Sequence, residues 1–271
     1  MPVSPVLAAP ASGDLSDAES KATVDEAVRR FEAEDYAGSE AAWRRLDARS
    51  PGNAFVQASL GACLLIQAQT TLRVGAASPP EPGPTGQLEE ALRRFDAAVA
   101  SEALAADALV LAQRAGTLEL LRRWPEAQAA YARALAAAPP GFASVPRQGV
   151  ALMLYEQGED DAAERAAATL LRKDPEFVDA RALLAAIRWG KGDAAGSETA
   201  WAEICEGVRP AGATTNVGRL VQDAGLALGI SKYAPRAGGQ EFCRMYSSMD
   251  AVKNRWPVRS QAAYRQFLAR S

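Results

Sequence analysis

The side chains that most often carry out catalysis or bind metal ions are scarce in this sequence. Its 271 residues include no histidine, and the cysteines are limited to Cys63, Cys205 and Cys243. Without histidine there can be no Ser-His or Cys-His nucleophile pair and no histidine-bound metal. Three thiolates alone do not complete the usual four-ligand zinc site. We expect Cys63 to be a buried thiol of the hydrophobic core.

Carboxylates and glycine-rich turns are the other candidates for chemistry. Acidic residues are dense between Glu156 and Glu164, but they lack the Asp/Asn alternation and the central glycine of a calcium loop. The segment from Gly190 to Gly196 superficially resembles a dinucleotide-binding loop, yet its spacing is wrong and no strand is predicted before it. Both segments are interpreted as solvated turns. The sequence therefore predicts no catalytic residue, no metal site and no cofactor, and hence a protein that is not an enzyme.

The charge balance argues against nucleic acid as a partner. The formal net charge is −3, and paired arginines are spread over different parts of the chain. Binding to a phosphate backbone requires clustered positive charge. No stretch approaches the roughly 18 consecutive apolar residues that predict a membrane-spanning helix. The expected partner is therefore a protein or a peptide.

Internal repeats organise most of the chain. The segment 37–43 reads AGSEAAW and the segment 195–201 reads AGSETAW. Weaker copies begin at Ala91, Ala127 and Ala163. Each copy has a small residue, then an aromatic residue or alanine four positions later, then a small or medium-sized apolar residue after three more. These spacings share one helical face, so the small residues are expected where two helices cross closely.

Prolines mark the ends of the repeated units. Pro51, Pro139 and Pro175 each follow a predicted helix, which proline cannot continue. This pattern of small, aromatic, small and proline residues resembles the tetratricopeptide repeat family, and Ala108–Pro139 is the segment most similar to it. The resemblance implies an all-α fold, a right-handed solenoid of about five helical hairpins spanning residues 20–206. The five units are expected to begin near Ser20, Ala54, Ala108, Ser144 and Val178.

Three segments fall outside this regular pattern. Residues 1–19 are expected to be disordered or removed by processing, since Ala9-Pro10-Ala11 has the small-x-small pattern of a signal-peptidase site. Residues 70–87 form a Pro/Gly-rich insertion, expected to be a surface loop or, alternatively, a proline-rich docking segment. Residues 207–271 are expected to form a helical C-terminal cap that covers the end of the solenoid.

The cap sequence is also similar to the tails of tetratricopeptide proteins from plastids and cyanobacteria. That similarity implies residence in the chloroplast thylakoid lumen and a role in assembling photosynthetic complexes. The alternatives are a cytoplasmic location and a general bacterial scaffold unrelated to photosynthesis. The residues that carry the similarity are Cys243, Tyr246, Asp250, Val252, Arg255, Trp256, Pro257, Phe267 and Leu268.

A disulfide between Cys205 and Cys243 would attach the cap to the solenoid. Cys205 lies at the end of the last repeat, and Cys243 lies at the start of the cap motif. An oxidising compartment would favour this bond. The alternative is that both side chains remain free thiols.

A protein-binding groove is expected on the concave surface. In the family, this surface is lined by the second, fifth, ninth and twelfth positions of each first helix. The predicted lining is Phe55, Ala58, Ala62, Leu65, Leu109, Ala112, Leu152, Tyr155 and Trp189, and the same positions also hold Gly116, Glu119, Val145, Gln148, Asp179, Ala182 and Ala186. Such an apolar lining favours an apolar or amphipathic segment as ligand.

The resulting hypothesis is a monomeric, non-catalytic scaffold or assembly factor that binds proteins. Two alternatives remain open at this point. The groove would be unavailable if the chain filled it itself, with a helix expected at Thr215–Leu228 or with the insertion. The chain would also have a different role if it were a self-associating structural protein.

Overall fold

The computed structural model of this chain describes residues 15–74, 85–206, 239–253 and 255–270. Within these ranges every regular element is helical. Ten of the helices form five consecutive pairs, and the two helices of each pair pack against each other. In four of the pairs a three-residue turn joins the two helices, so that they run in opposite directions. The pairs are α1 (Ala18–Glu32) with α2 (Tyr36–Arg49), α3 (Ala54–Val74) with α4 (Thr85–Val99), α5 (Ala108–Leu120) with α6 (Trp124–Ala137), α7 (Ser144–Glu156) with α8 (Asp160–Lys173), and α9 (Val178–Gly190) with α10 (Ala194–Glu206).

Each pair corresponds to one predicted repeat, so the helical-hairpin solenoid is confirmed. The first helices of the second to fifth pairs begin at Ala54, Ala108, Ser144 and Val178, where the units were predicted to begin. Helix α1 begins two residues before the predicted start at Ser20. Each pair packs on the next, and the buried apolar residues of the described chain form five clusters along the stack.

The turns inside four of the pairs share one backbone conformation. Gly158 and Gly192 both have φ of +83°, and Glu34 and Arg122 occupy the equivalent turn positions with φ of +60° and +58°. Such positive values suit glycine and cost other residues about 1–2 kcal/mol. The shared conformation reverses the chain within a three-residue turn, so the second helix lies against the first.

The two nearly identical segments of the sequence make identical contacts. The Ser39 hydroxyl donates to the Ala27 carbonyl at 2.8 Å, and the Ser197 hydroxyl donates to the Ala185 carbonyl at 3.0 Å. Both serines are fully buried. This hydrogen bond joins the second helix of the pair to the first. Serine is small, like the alanine found at this position in other repeats, so the two helices still cross closely. The same short motif therefore satisfies a buried donor at both ends of the solenoid.

Two predicted boundaries require correction. The segment 1–19 was expected to be disordered or processed, but Leu15 is buried and Asp17 caps α1 by accepting from the Ser20 backbone N–H. The insertion expected at 70–87 is also shorter, because α3 continues to Val74 and α4 begins at Thr85. Residues 1–14 and 75–84 lie outside the described part.

The C-terminal segment adds two helices and a short turn. Helix α11 (Gly239–Tyr246) packs on α10, a 3-10 turn follows at Met249–Ala251, and α12 (Val258–Leu268) packs on α9 and α7. This arrangement covers the final repeats, as a solenoid cap must. The helix predicted at Thr215–Leu228 lies outside the described residues.

Candidate functional site

The predicted groove residues divide into a buried set and a partly exposed set. Phe55, Leu109 and Trp189 keep part of their surface exposed. The others are buried inside the molecule, namely Ala58, Ala62, Leu65, Ala112, Leu152 and Tyr155. The floor of the concave face is therefore part of the core, and only some of its edges remain available.

Asp179 is the centre of the contacts that the concave face makes with the C-terminal segment. It is the second residue of α9, and only 7% of its surface is exposed. Arg255 donates to both carboxylate oxygens, from Nη1 to Oδ2 at 2.7 Å and from Nη2 to Oδ1 at 2.8 Å. This bidentate geometry is the strongest form of an arginine–carboxylate pair.

Three further donors contact the carboxylate, and the weakest is the Trp256 indole N–H, 3.5 Å from Asp179 Oδ2. The Tyr246 hydroxyl donates to Asp179 Oδ1 at 2.6 Å, and the Gln148 amide donates to Asp179 Oδ2 at 2.6 Å. Gln148 lies at the fifth position of α7, one of the positions expected to line the groove. The carboxylate therefore joins two repeats to two separate parts of the cap.

The ionisation of Asp179 depends on these partners. Burial alone would raise the pKa of Asp179, because a charged group is less stable away from water. The charge and hydrogen bonds of Arg255, with the hydrogen bonds of Tyr246 and Gln148, outweigh burial and hold the pKa below its usual value of 3.8. Burial also raises the pKa of the Tyr246 phenol, and the Asp179 charge raises it further. The site is therefore an anionic carboxylate matched by one guanidinium.

The start of α12 binds to the end of α7. The Glu156 carboxylate accepts from the backbone N–H groups of Arg259 and Ser260, at 3.0 and 2.8 Å. A carboxylate in this position satisfies unpaired donors at the helix start and interacts favourably with its dipole. Asp160 receives two hydrogen bonds from the Arg259 guanidinium, which lies 4.0 Å from the centre of the Tyr155 ring.

Aromatic side chains close the remaining contact between cap and solenoid. Phe267 of α12 packs edge-on against Trp189 of α9 at 5.8 Å and against Trp201 of α10 at 5.5 Å between ring centres. Trp256 and Tyr264 form a similar pair within the cap at 5.2 Å. Such pairs contribute about 0.5–1.5 kcal/mol each beyond burial.

A disulfide links the cap to the last repeat. Cys205, near the end of α10, is bonded to Cys243 of α11, with 4.4 Å between the Cα atoms. The bond closes a loop across a sequence separation of 38 residues. Cys63 is free and buried, and burial raises the pKa of its thiol to about 12.

These contacts show that the chain covers part of its own concave face. The covered part consists of first-helix positions in the fourth and fifth repeats. This corrects the expectation of an open lining at Tyr155 and Trp189, which contact Arg259 and Phe267 of the chain itself. The segment Arg255-Trp256-Pro257 was predicted only as part of the C-terminal cap. The sequence contained one signal for the contact between this segment and the solenoid, namely an acidic residue, Asp179, at a groove position of the last repeat.

The third repeat presents a different surface. Glu119 is the twelfth residue of α5, the position that holds Tyr155 in α7 and Trp189 in α9. It is partly exposed, and one carboxylate oxygen accepts from the Tyr131 hydroxyl at 2.7 Å. No helix of the cap packs on α5 among the principal contacts of the described residues. Glu119 therefore lies on a first helix on which the described cap helices, α11 and α12, do not pack in this way.

No group of three or more Cys, Asp or Glu side chains is placed to hold a metal ion within ranges 15–74, 85–206, 239–253 and 255–270. In the same part of the chain, none of the helices is both long enough and apolar enough to cross a lipid bilayer.

Comparisons with known proteins relate this architecture to solved tetratricopeptide structures. No protein-family model and no curated protein sequence matches the chain. The structure of Pseudomonas aeruginosa PilF is similar over 93% of this chain and 97% of its own, with 13% identity and a TM-score of 0.55. MamA is similar over 68% of this chain and 88% of its own, with 16% identity and a TM-score of 0.54.

A third similar structure is described as a tetratricopeptide protein with an unusual peptide-binding site. This is YrrB, which covers 69% of this chain and 91% of its own, with 14% identity and a TM-score of 0.52. At these identities the likeness concerns the fold. The tetratricopeptide architecture is thereby supported, whereas none of these matches supports the plastid-type tail.

Proposed function

We propose that this protein is a non-catalytic scaffold that binds an apolar or amphipathic segment of a partner protein on the uncovered part of its concave face. The observation that carries the proposal is the docking of the chain's own C-terminal segment on that face in the last two repeats. Side chains at groove positions there contact the cap: Asp179 contacts Arg255, Tyr155 contacts Arg259, and Trp189 contacts Phe267. The same positions in the second and third repeats include Phe55 and Leu109, which remain partly exposed.

The fold of the neighbours supports this function in general terms. Tetratricopeptide structures serve as protein-interaction scaffolds, and YrrB is described as having a peptide-binding site. A ligand that buried about 600 Å² of apolar surface would gain roughly 15 kcal/mol at about 25 cal/mol per Å². Association and ordering cost about 4–15 kcal/mol, which leaves at most about 11 kcal/mol, a range that includes micromolar affinity. Such affinities suit an assembly factor that releases its client.

The test uses a pair of matched leucine variants. Leu109→Asp places a charge on the proposed binding face, whereas Leu135→Asp places the same charge on α6, a second helix. Both leucines are partly exposed. Affinity capture from the source organism identifies proteins held by the wild type, and binding is then repeated with the purified candidate. Loss of binding in Leu109→Asp alone, with unchanged circular dichroism, supports the proposal, whereas equal binding by all three proteins refutes it.

The compartment and the client belong to the same proposal. We place the protein in the thylakoid lumen, as an assembly factor for photosynthetic complexes, on the similarity of residues 243–268 to plastid tails. The alternative, a general bacterial scaffold in the cytoplasm or elsewhere, is equally compatible with the fold. Fractionation of source cells beside a lumenal marker distinguishes the two, because recovery outside the lumen removes the photosynthetic role.

The oligomeric state is the remaining part of the proposal. The fourth and fifth repeats are covered by the chain's own cap, so we propose a monomer in solution. Light scattering across a concentration series checks this, and a mass that rises with concentration would favour the alternative of a self-associating structural protein.

A further inference from the structure

Among the described residues, Glu119 lacks the cationic partner that Asp179 and Asp160 have near the cap. Asp179 is paired with Arg255, and Asp160 is paired with Arg259. Among the described residues, the only hydrogen bond to the Glu119 side chain comes from the Tyr131 hydroxyl. A partly buried carboxylate with one neutral donor is incompletely satisfied, because it can accept several hydrogen bonds.

The charges around Glu119 do not compensate it. Glu156 of the neighbouring helix α7 is also negative, and its oxygens are used by the start of α12. The Arg259 guanidinium is held by Asp160 and the Tyr155 carbonyl. In accord with this, the pKa of Glu119 is raised to about 7, because burial and, to a smaller extent, the charge of Glu156 outweigh the hydrogen bond from Tyr131.

The surface next to Glu119 has space for a side chain of a ligand, and apolar side chains lie on the same helix. Gly116 lies one turn earlier on the same face of α5, and a Cβ atom added there would meet only the Tyr131 hydroxyl, at 3.6 Å. Leu109 and Leu120 on the same helix are partly exposed. Together these residues offer a negative group, an open space and apolar side chains within one helix.

The cap shows what kind of side chain this concave face binds. In the fifth repeat the carboxylate at a groove position, Asp179, holds an arginine, and the next residue along the chain, Trp256, is buried against the cap core. We propose that Glu119 anchors an arginine or lysine of the bound protein segment, with neighbouring apolar side chains of that segment lying along Leu109 and Leu120. This rests on the proposed function and names the chemistry of its ligand.

The test uses two labelled synthetic amphipathic peptides of equal length. Both carry the same leucine and alanine positions, but one has arginines on its polar face and the other has glutamates. Fluorescence anisotropy at pH 8 is measured with wild type, Glu119→Gln and the matched control Glu102→Gln. Glu102 is an exposed residue of the loop before α5. Circular dichroism confirms that the variants are folded.

We expect the arginine peptide to bind the wild type and the control alike, and to bind Glu119→Gln about tenfold more weakly. Because Glu119 is protonated below about pH 7, the wild-type affinity should fall between pH 8 and pH 6, while that of Glu119→Gln stays constant. Glu119→Asp, which keeps the charge, should retain part of the preference. A merely structural role for Glu119 would not produce this pH dependence.

The two possible failures are distinguishable. If both peptides bind wild type and Glu119→Gln with the same affinity, and Leu109→Asp abolishes that binding, the groove is apolar as proposed but Glu119 is not its anchor. If neither peptide binds wild type, both the inference and the proposed groove fail for ligands of this class.

Discussion

Replacing Arg255 by methionine tests the central contact between cap and solenoid. The Arg255 and Asp179 side chains are 12% and 8% exposed, and two hydrogen bonds of 2.7 and 2.8 Å join them. Methionine fills much of the arginine volume but removes the charge. Asp179 would then keep the hydrogen bonds of Tyr246, Gln148 and Trp256 and lose the one cation that pairs with it among the described residues. Breaking a buried pair in this way costs about 3–5 kcal/mol.

The measurement is urea unfolding followed by circular dichroism and tryptophan fluorescence. We expect Arg255→Met to lower the free energy of unfolding by about 3–5 kcal/mol. The double variant Asp179→Asn/Arg255→Met should lose clearly less than the sum of the two single variants, because it leaves no uncompensated charge. Arg265→Met is the control: Arg265 is exposed on α12, and its loss should cost less than about 0.5 kcal/mol.

The pH dependence adds a qualitative test of the same contact. In the wild type the lowered pKa of Asp179 stabilises the fold above about pH 4. That contribution is lost as the pH falls through the lowered value. In Arg255→Met, burial dominates and the pKa of Asp179 should rise above that of the unfolded chain. The folded state then binds a proton more readily, so the free energy of unfolding should increase as the pH falls from 8 towards 5.

Two results would refute this reasoning. A loss below about 1 kcal/mol in Arg255→Met would show that the buried pair does not hold the cap. An unchanged pH slope would show that Asp179 has access to solvent without its arginine.

Two further predictions concern the disulfide and the packing of small residues. Replacing both Cys205 and Cys243 by serine should lower the free energy of unfolding by at most about 4 kcal/mol in the chain-entropy model, measured by urea unfolding without reductant. The intact mass of the wild type should rise by two hydrogens on reduction, and an unchanged mass would contradict the disulfide. Gly149→Ala should destabilise by about 1–3 kcal/mol, because its Cβ would lie 2.6 Å from the Tyr131 ring. Gly116→Ala, whose Cβ has space, should be neutral or stabilising by up to about 1 kcal/mol, and equal melting temperatures for the two glycine variants would count against the packing described.

The repeat architecture could be predicted from sequence because its determinants are local. A small residue and an aromatic residue four positions apart, as at Ala127 and Tyr131, lie on one helical face and bury the same helix crossing. Proline then fixes the end of the unit. These signals lie within about 34 residues of one another, as in other tetratricopeptide proteins. They therefore placed the helix starts of four repeats at the observed residues.

The occupant of the groove could not be predicted in the same way. The hydrogen bonds from the start of α12 to Glu156 join residues 103 and 104 positions apart in the chain. Those from Arg255 to Asp179 span 76 positions. Contacts at such distances leave no periodicity in a single sequence. The Arg-Trp-Pro motif was visible, but its carboxylate partner was only one of several acidic residues on the predicted first helices.

The twelfth residue of the first helix has a different environment in each of four repeats, although its position in the repeat is the same. In α3 this position is Leu65, which is buried in the core, and in α7 and α9 it is Tyr155 and Trp189, which contact the cap. In α5 it is Glu119, which neither completes the core nor pairs with the cap. A partly buried carboxylate without a cationic partner lowers the stability of the fold, and an apolar side chain at position 119 would avoid that cost. The presence of Glu119 at a groove position therefore favours a role in binding over a role in folding.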